Sequence, residues 1–325
     1  MPVTLLQAQQ NAQTDLDVAV IDEFRTNPLM DLMVFDQAVN PAGGGATLTY
    51  GYRRLVTTAT AGFRAINAEY TPQEATTEQK NVDLKVLGGA FQVDRVLANV
   101  GPAASGEVSL QLSQKIKSTQ ALFGDAVING DSATVANSFD GLSKALAGSS
   151  TEDTGAVDWS GTQDTTWAFM VLSTVDDLLS QMDGEASAII GNRRAINLVR
   201  SAARLTAQYT REPGPRNTYV ERYGSAVLVD AGFKAGSNTP VIPIRPSAVT
   251  GPPALAAGST DLYAVRIAED AFHAVSTVGS PLVQTWLPDF TTSGAVKTGE
   301  VEMGPVAVAL KRTKAAAVKR NVKVQ

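Results

Sequence analysis

A single histidine, His273, stands in 325 residues, with Asp270 close by in sequence. A histidine acting as general base needs a positioned nucleophile and a group that orients its ring. No Gly-x-Ser-x-Gly motif or comparable pattern accompanies it. His273 therefore reads as a strand residue in the core or at an interface. Gly43-Gly44-Gly45 has the glycine content of a phosphate-cradling loop, but no Lys-Ser/Thr follows and no helix opens there. It reads as a hinge. Asp15, Asp17, Asp22 and Glu23, and separately Asp176, Asp177, Asp183 and Glu185, carry enough charge for a cation. Neither group has the Asp-x-Asp-x-Asp-Gly spacing of a calcium loop, and acids are favourable at helix starts. The absence of cysteine excludes disulfides, thiolate catalysis and cysteine-bound zinc. No convergent polar site emerges, so the chain is expected to be no enzyme and to bind no cofactor or metal.

Two further charge patterns point to surfaces. Arg53, Arg54 and Arg64 fall on one limb of a polar hairpin, and Glu69, Glu74 and Glu78 on the other. Pairs across a solvated hairpin contribute about 0–1 kcal/mol each. The preferred reading sets some of these charges against neighbouring subunits. After Glu302 no acidic residue occurs, while Lys311, Arg312, Lys314, Lys319, Arg320 and Lys323 follow. Lys319 and Arg320 either face nucleic acid or line a polar sheet face. A net charge of -5 gives no general attraction to nucleic acid.

The elements that would carry these residues follow from periodicity. Leu16, Val20, Ile21 and Phe24 have helical spacing within an N-terminal arm, residues 1–42, which ends in an apolar plug from Pro28 to Phe35. The segments from Ala46 to Arg54 and from Asn81 to Leu87 are strands of a long hairpin. Its Thr/Ala/Glu-rich middle is too polar to build a core, and such a hairpin is marginal alone in water. Gly88 and Gly89 provide a second hinge. The spacing of Val108, Leu112, Ile116, Thr119, Phe123 and Ala126 predicts a helix over 106–128, capped by Ser105 and stopped at Asn129-Gly130. A helix from Trp167 to Met182, a strand at 188–190 and a helix capped by Asn192 open a second α+β unit. Val241-Ile242 is among its strand candidates. Strands close the chain.

Composition fits a folded protein, with 44% hydrophobic and 18% charged residues. No run approaches the roughly 20 apolar residues of a membrane helix. The N-terminus lacks the pattern of a signal peptide, so the chain is expected to be made and kept in a cytoplasm.

The order of these segments is specific. An arm and a hairpin precede Gly88 to Leu97; a long helix ends in Leu122 to Asp131; Phe139-Asp140-Gly141-Leu142 and an α+β unit follow. This order resembles the major capsid proteins of tailed bacteriophages, the Hong Kong ninety-seven-type fold shared with encapsulins. The resemblance implies an α+β capsid fold. Residues 43–89 would be the extended E-loop and 106–128 the spine helix. Residues 90–139 and 281–325 would form the peripheral domain, and 140–280 the axial domain. It further implies self-assembly through hexamers and pentamers into an icosahedral virion shell around double-stranded DNA, built in the host bacterial cytoplasm. A separate scaffolding protein, a portal and a decoration protein are the expected partners. The first lysine, Lys80, lies near the arm's base. The lysine cross-link of the type member therefore has no counterpart in the outer arm, and non-covalent interlocking is expected. An encapsulin is the nearest alternative; a hydrolase or sugar-binding α+β protein is more distant.

Overall fold

The computed structural model describes residues 29–39, 47–96, 102–213, 219–249, 254–279 and 281–325. The expected helix bearing Leu16 to Phe24, the acidic group Asp15, Asp17, Asp22 and Glu23, and the joint Gly43, Gly44 and Gly45 lie outside the described residues.

A short helix, α1 (Leu29–Leu32), leads into β1 (Phe35–Val39). A hairpin follows, β2 (Thr49–Thr57) and β3 (Thr76–Asp83), which forms a two-stranded sheet of its own. The chain then enters β4 (Lys85–Asp94) and the 28-residue helix α2 (Pro102–Asn129). At 1.5 Å per residue α2 is about 42 Å long. It begins before the expected cap at Ser105. The helix opens at Pro102, because proline's missing N–H has no partner to lose in the first turn. The predicted stripe does face inward: Thr119 and Phe123 are buried, followed by Val127 and Ile128. Phe123 sits between the rings of Phe35 and Phe139, at centroid distances of 5.7 and 6.1 Å. At Gly130 the helix stops because the next loop closes on it. A Cβ there would lie 2.4 Å from the Phe139 carbonyl oxygen.

The first large sheet has the order β1-β12-β14-β13, with β4 also on β14; the added strands are β12 (Phe272–Thr277), β13 (Val283–Trp286) and β14 (Val296–Leu310). β14 is its spine. Its last residues pair with β12, and its earlier ones with β13 on one side and β4 on the other.

The second large sheet holds eight strands, drawn from β5 (Glu152–Asp153), β6 (Val157–Asp158), β7 (Ala188–Gly191), β8 (Thr210–Pro213), β9 (Tyr219–Tyr223), β10 (Ala226–Asp230), β11 (Ser259–Val265) and β15 (Ala316–Lys323). Their order is β5-β15-β11-β7-β10-β9-β8, with β6 also on β15. Helices α4 (Thr165–Ser180) and α5 (Arg193–Leu205) cover one face; the short α3 (Leu142–Leu146) precedes β5. Asp164 caps α4 through the Trp167 N–H at 2.7 Å, and Asn192 caps α5 through the Arg194 N–H at 2.9 Å. Strand alternation divides the core in two. Ile189, Leu262 and Ala264 pack with Trp167, Val171 and Val199 under the helices, while Ile190, Tyr263 and Val265 turn to a core shared with the first sheet.

The sheets do not divide the chain where the sequence reading did. β12, assigned with 140–280, belongs to the first sheet. β15, assigned with 281–325, lies inside the second, antiparallel to β11. Alternation announces a strand but not its partner. Val241-Ile242 is deeply buried in the first core, as expected of a strand, yet it lies in bends outside any strand.

Candidate assembly interface

The hairpin arm is in register from Thr49 opposite Asp83 to Thr57 opposite Thr76. Its outer part, residues 55–79, is exposed throughout. Apolar side chains occur there without cover: Phe63 is 110% exposed and Ile66 91%. The root is built differently. Tyr50, Tyr52 and Arg54 lie two apart on β2 and so share one face. That face rests on the end of β14. The Tyr52 hydroxyl donates to the Leu310 carbonyl at 2.9 Å; Arg54 donates through Nη2 to Leu310 O at 2.7 Å and through Nε to Lys311 O at 3.1 Å. The edge of His273 meets the Tyr50 ring at 6.0 Å and 87°, and Lys311 Nζ lies 5.5 Å from the same ring. The arm therefore projects from a braced base. Its bracing residues escaped the sequence reading, although the period-2 spacing of Tyr50, Tyr52 and Arg54 is a visible signal.

The predicted charge set is dispersed. Arg54 stands opposite Glu78 in the ladder but donates to carbonyls of its own chain. Glu78 pairs with Lys80 at 2.7 Å. Arg64 packs on the Tyr70 ring at 5.3 Å and donates to the Ala68 carbonyl at 3.2 Å. Arg53, Glu69 and Glu74 are exposed. Among the described residues no ion pair joins the three arginines to Glu69, Glu74 or Glu78.

The hinge assigned to Gly88 and Gly89 is corrected. Both lie inside β4, paired with Glu302 and Val301 of β14. A Cβ on Gly88 would come within 2.2 Å of the Val301 carbonyl oxygen. Glycine is needed here for close backbone approach, which fixes the strand rather than freeing it. The arm leaves the body one step earlier, at buried Leu84, whose N–H donates to Leu48 O at 2.7 Å.

The DNA-facing candidates are also corrected. Lys319 and Arg320 are 6% and 8% exposed. Lys319 pairs with Asp153; Arg320 pairs with Glu152 and Asp261 and donates to the Ser143 carbonyl at 3.1 Å. Their charges are matched inside the chain, so a phosphate cannot reach them. Lys323 is half-buried and pairs with Asp158 at 2.7 Å, whose carboxyl is thereby drawn down to about 2.

A groove of about 630 Å³ opens beside the arm's root, between β4, the end of α2 and the following loop. Val86, Leu122 and Val135 give it exposed apolar surface. Asn129 at its edge is held by Asp125 and the Val241 carbonyl, each at 2.7 Å, and Lys234 pairs with Asp125 at 3.3 Å. Among the described residues neither ring nitrogen of His273 makes a well-formed hydrogen bond. Among the described residues no group of three or more His, Asp or Glu side chains could hold a metal, and no helix is long and apolar enough to cross a membrane.

No protein-family model and no curated protein sequence matches the chain. Solved structures do. The encapsulin of the holo-SrpI complex from Synechococcus elongatus PCC 7942 superposes with a TM-score of 0.62 at 15% identity, covering 100% of this chain and 98% of that one. The capsid of a native GTA particle gives 0.58 at 10% identity, covering 96% and 94%. A structure from Gordonia phage Cozz gives 0.56 at 11% identity, covering 99% and 96%. The chain has the Hong Kong ninety-seven-type capsid fold over its whole length.

Proposed function

We propose that this chain is the major capsid protein of a tailed bacteriophage. Copies join in hexamers and pentamers and close an icosahedral shell around a double-stranded DNA genome. The observation that carries this reading is the arm. It is rigidly rooted, fully solvated beyond Leu55, and bears Phe63 and Ile66, which no described part of their own chain covers. Exposed aromatic and aliphatic groups on a projecting element mark a contact with another molecule. An identical neighbour supplies it, with the apolar groove beside the next root as a seat. The arm then acts as the E-loop, α2 as the spine of the peripheral domain, and the helix-covered eight-stranded sheet as the axial domain at the ring centre. The interlock is non-covalent, and the shell holds DNA by non-specific contact. Assembly in the bacterial cytoplasm with a separate scaffolding protein, a portal and a decoration protein completes the proposal. The chain performs no catalysis.

The encapsulin superposition, at a TM-score of 0.62, favours a second reading, a nanocompartment shell that encloses a protein cargo. Negative-stain electron microscopy of the purified chain tests both. Closed megadalton particles are expected, and a chain that stays monomeric at assembly concentrations even with its scaffolding protein overturns both readings. Particles from the native source that hold DNA support the first; particles that hold an enzyme support the second.

A further inference from the structure

His273 has an unusual setting. Its side chain is 0% exposed, and neither Nδ1 nor Nε2 makes a well-formed hydrogen bond, the Ala271 backbone giving only a weak contact. A buried imidazole without a partner is costly, and a buried imidazolium is costlier. The groups that face it come from several elements. Tyr50 of β2 lies against it with its ring at 87°. Asp36 of β1 is 3.9 Å from Nε2, short of bonding. Lys311, just after β14, sits on the Tyr50 ring, and Glu269 precedes β12. Burial, and then Lys311, hold the ring below its ordinary value of 6.5; Asp36, the Ala271 backbone and Glu269 oppose this more weakly. Above His273 lie the bonds that hold the arm down, from Tyr52 and Arg54 to Leu310 and Lys311.

We propose that His273 is a proton-sensitive catch for the arm: neutral, it lets Tyr50 seat and the root close; protonated, it releases the root from the body. The sign follows from the two environments. With the root lifted, His273 meets water and titrates near 6.5. With the root closed, its pKa is lower. Closure is therefore at full strength above about pH 6.5, and weakens by up to about tenfold per pH unit as pH falls through the interval between the two values. The same arm that links copies in the proposed shell would thus be set down at neutral pH and loosened by mild acid. That consequence rests on the shell reading; the catch itself does not.

Hydrogen exchange of the full-length chain at about pH 7.5 and pH 5, corrected for the intrinsic pH dependence of exchange, reads the catch directly. The root peptide 49–54 is expected to lose protection tenfold or more at the lower pH, while 301–310 in β14 keeps its own. His273→Phe should retain root protection at both values. Lys311→Gln removes a charge that opposes protonation in the closed state, so the two values draw together and its root should lose less protection at pH 5 than wild type. A wild-type root equally protected at both values overturns the proposal, as does a His273→Phe root that loosens like wild type. A Lys311→Gln root that loosens at pH 5 as much as wild type, or more, also counts against it. Particle formation, scored separately, keeps the two readings apart. A pH-sensitive root without particles sinks only the shell, and particles with an insensitive root sink only the catch.

Discussion

Arg320 illustrates how burial changes the meaning of a charge. On the sequence it is one of six cations in an acid-free tail; in the fold it is a buried tie between β15, Glu152, Asp261 and the Ser143 carbonyl. Removing one partner of such a pair leaves charge stranded in a poor solvent. Glu152→Ala is expected to cost about 3–5 kcal/mol in urea denaturation, whereas Glu78→Ala, which breaks an exposed pair, should cost no more than about 1 kcal/mol. Asp131 offers a titration test. The Lys144 ammonium, then Thr134 and the Ala133 N–H, draw its carboxyl from 3.8 to about 2. A depressed carboxylate contributes above its free value and is lost as pH falls through its folded one. The Asp131 clamp on the loop after α2 should therefore persist at pH 4 and open near pH 2. Carboxyl chemical shifts would follow this, and Lys144→Met should return the midpoint toward 3.8. The acid-free run after Glu302 and the absence of cysteine were legible at this scale. Which cations are buried was not, because exposure is a property of neighbours remote in sequence.

At the scale of elements, local signals read well where a local cause exists. Asn192 caps α5 as its side-chain chemistry predicts, and the stripe through Thr119 and Phe123 turns inward. Gly88-Gly89 was misread because glycine serves two opposite needs, free rotation and close approach. Only the partner strand distinguishes them. An alanine methyl at position 88 would sit 2.2 Å from Val301 O, so Gly88→Ala must push β4 off β14. A loss of about 1–3 kcal/mol is expected, seen as a lowered thermal midpoint. A glycine that merely hinged the arm would tolerate alanine with little change.

At the scale of the whole molecule, the arm is the part that the single chain leaves uncovered. Phe63→Ser with Ile66→Ser should leave the circular dichroism melt of the body within about 0.5 kcal/mol of wild type, since surface changes away from packed features cost little. Closed particles should be lost by electron microscopy; normal shells from that variant would remove the tip from the interface. The sequence by itself determined the order of elements, the long inward-striped helix and the hairpin too polar to stand alone, because periodicity, capping and composition act over a few residues. The tertiary structure alone decided that β12 and β15 change places between the sheets, that Gly88 locks a strand, that Lys319 and Arg320 face inward, and that His273 lies beneath the arm. Each of these depends on which distant segments meet, and strand partnership and burial are set by the packing of the whole chain, not by the run of residues at any one place.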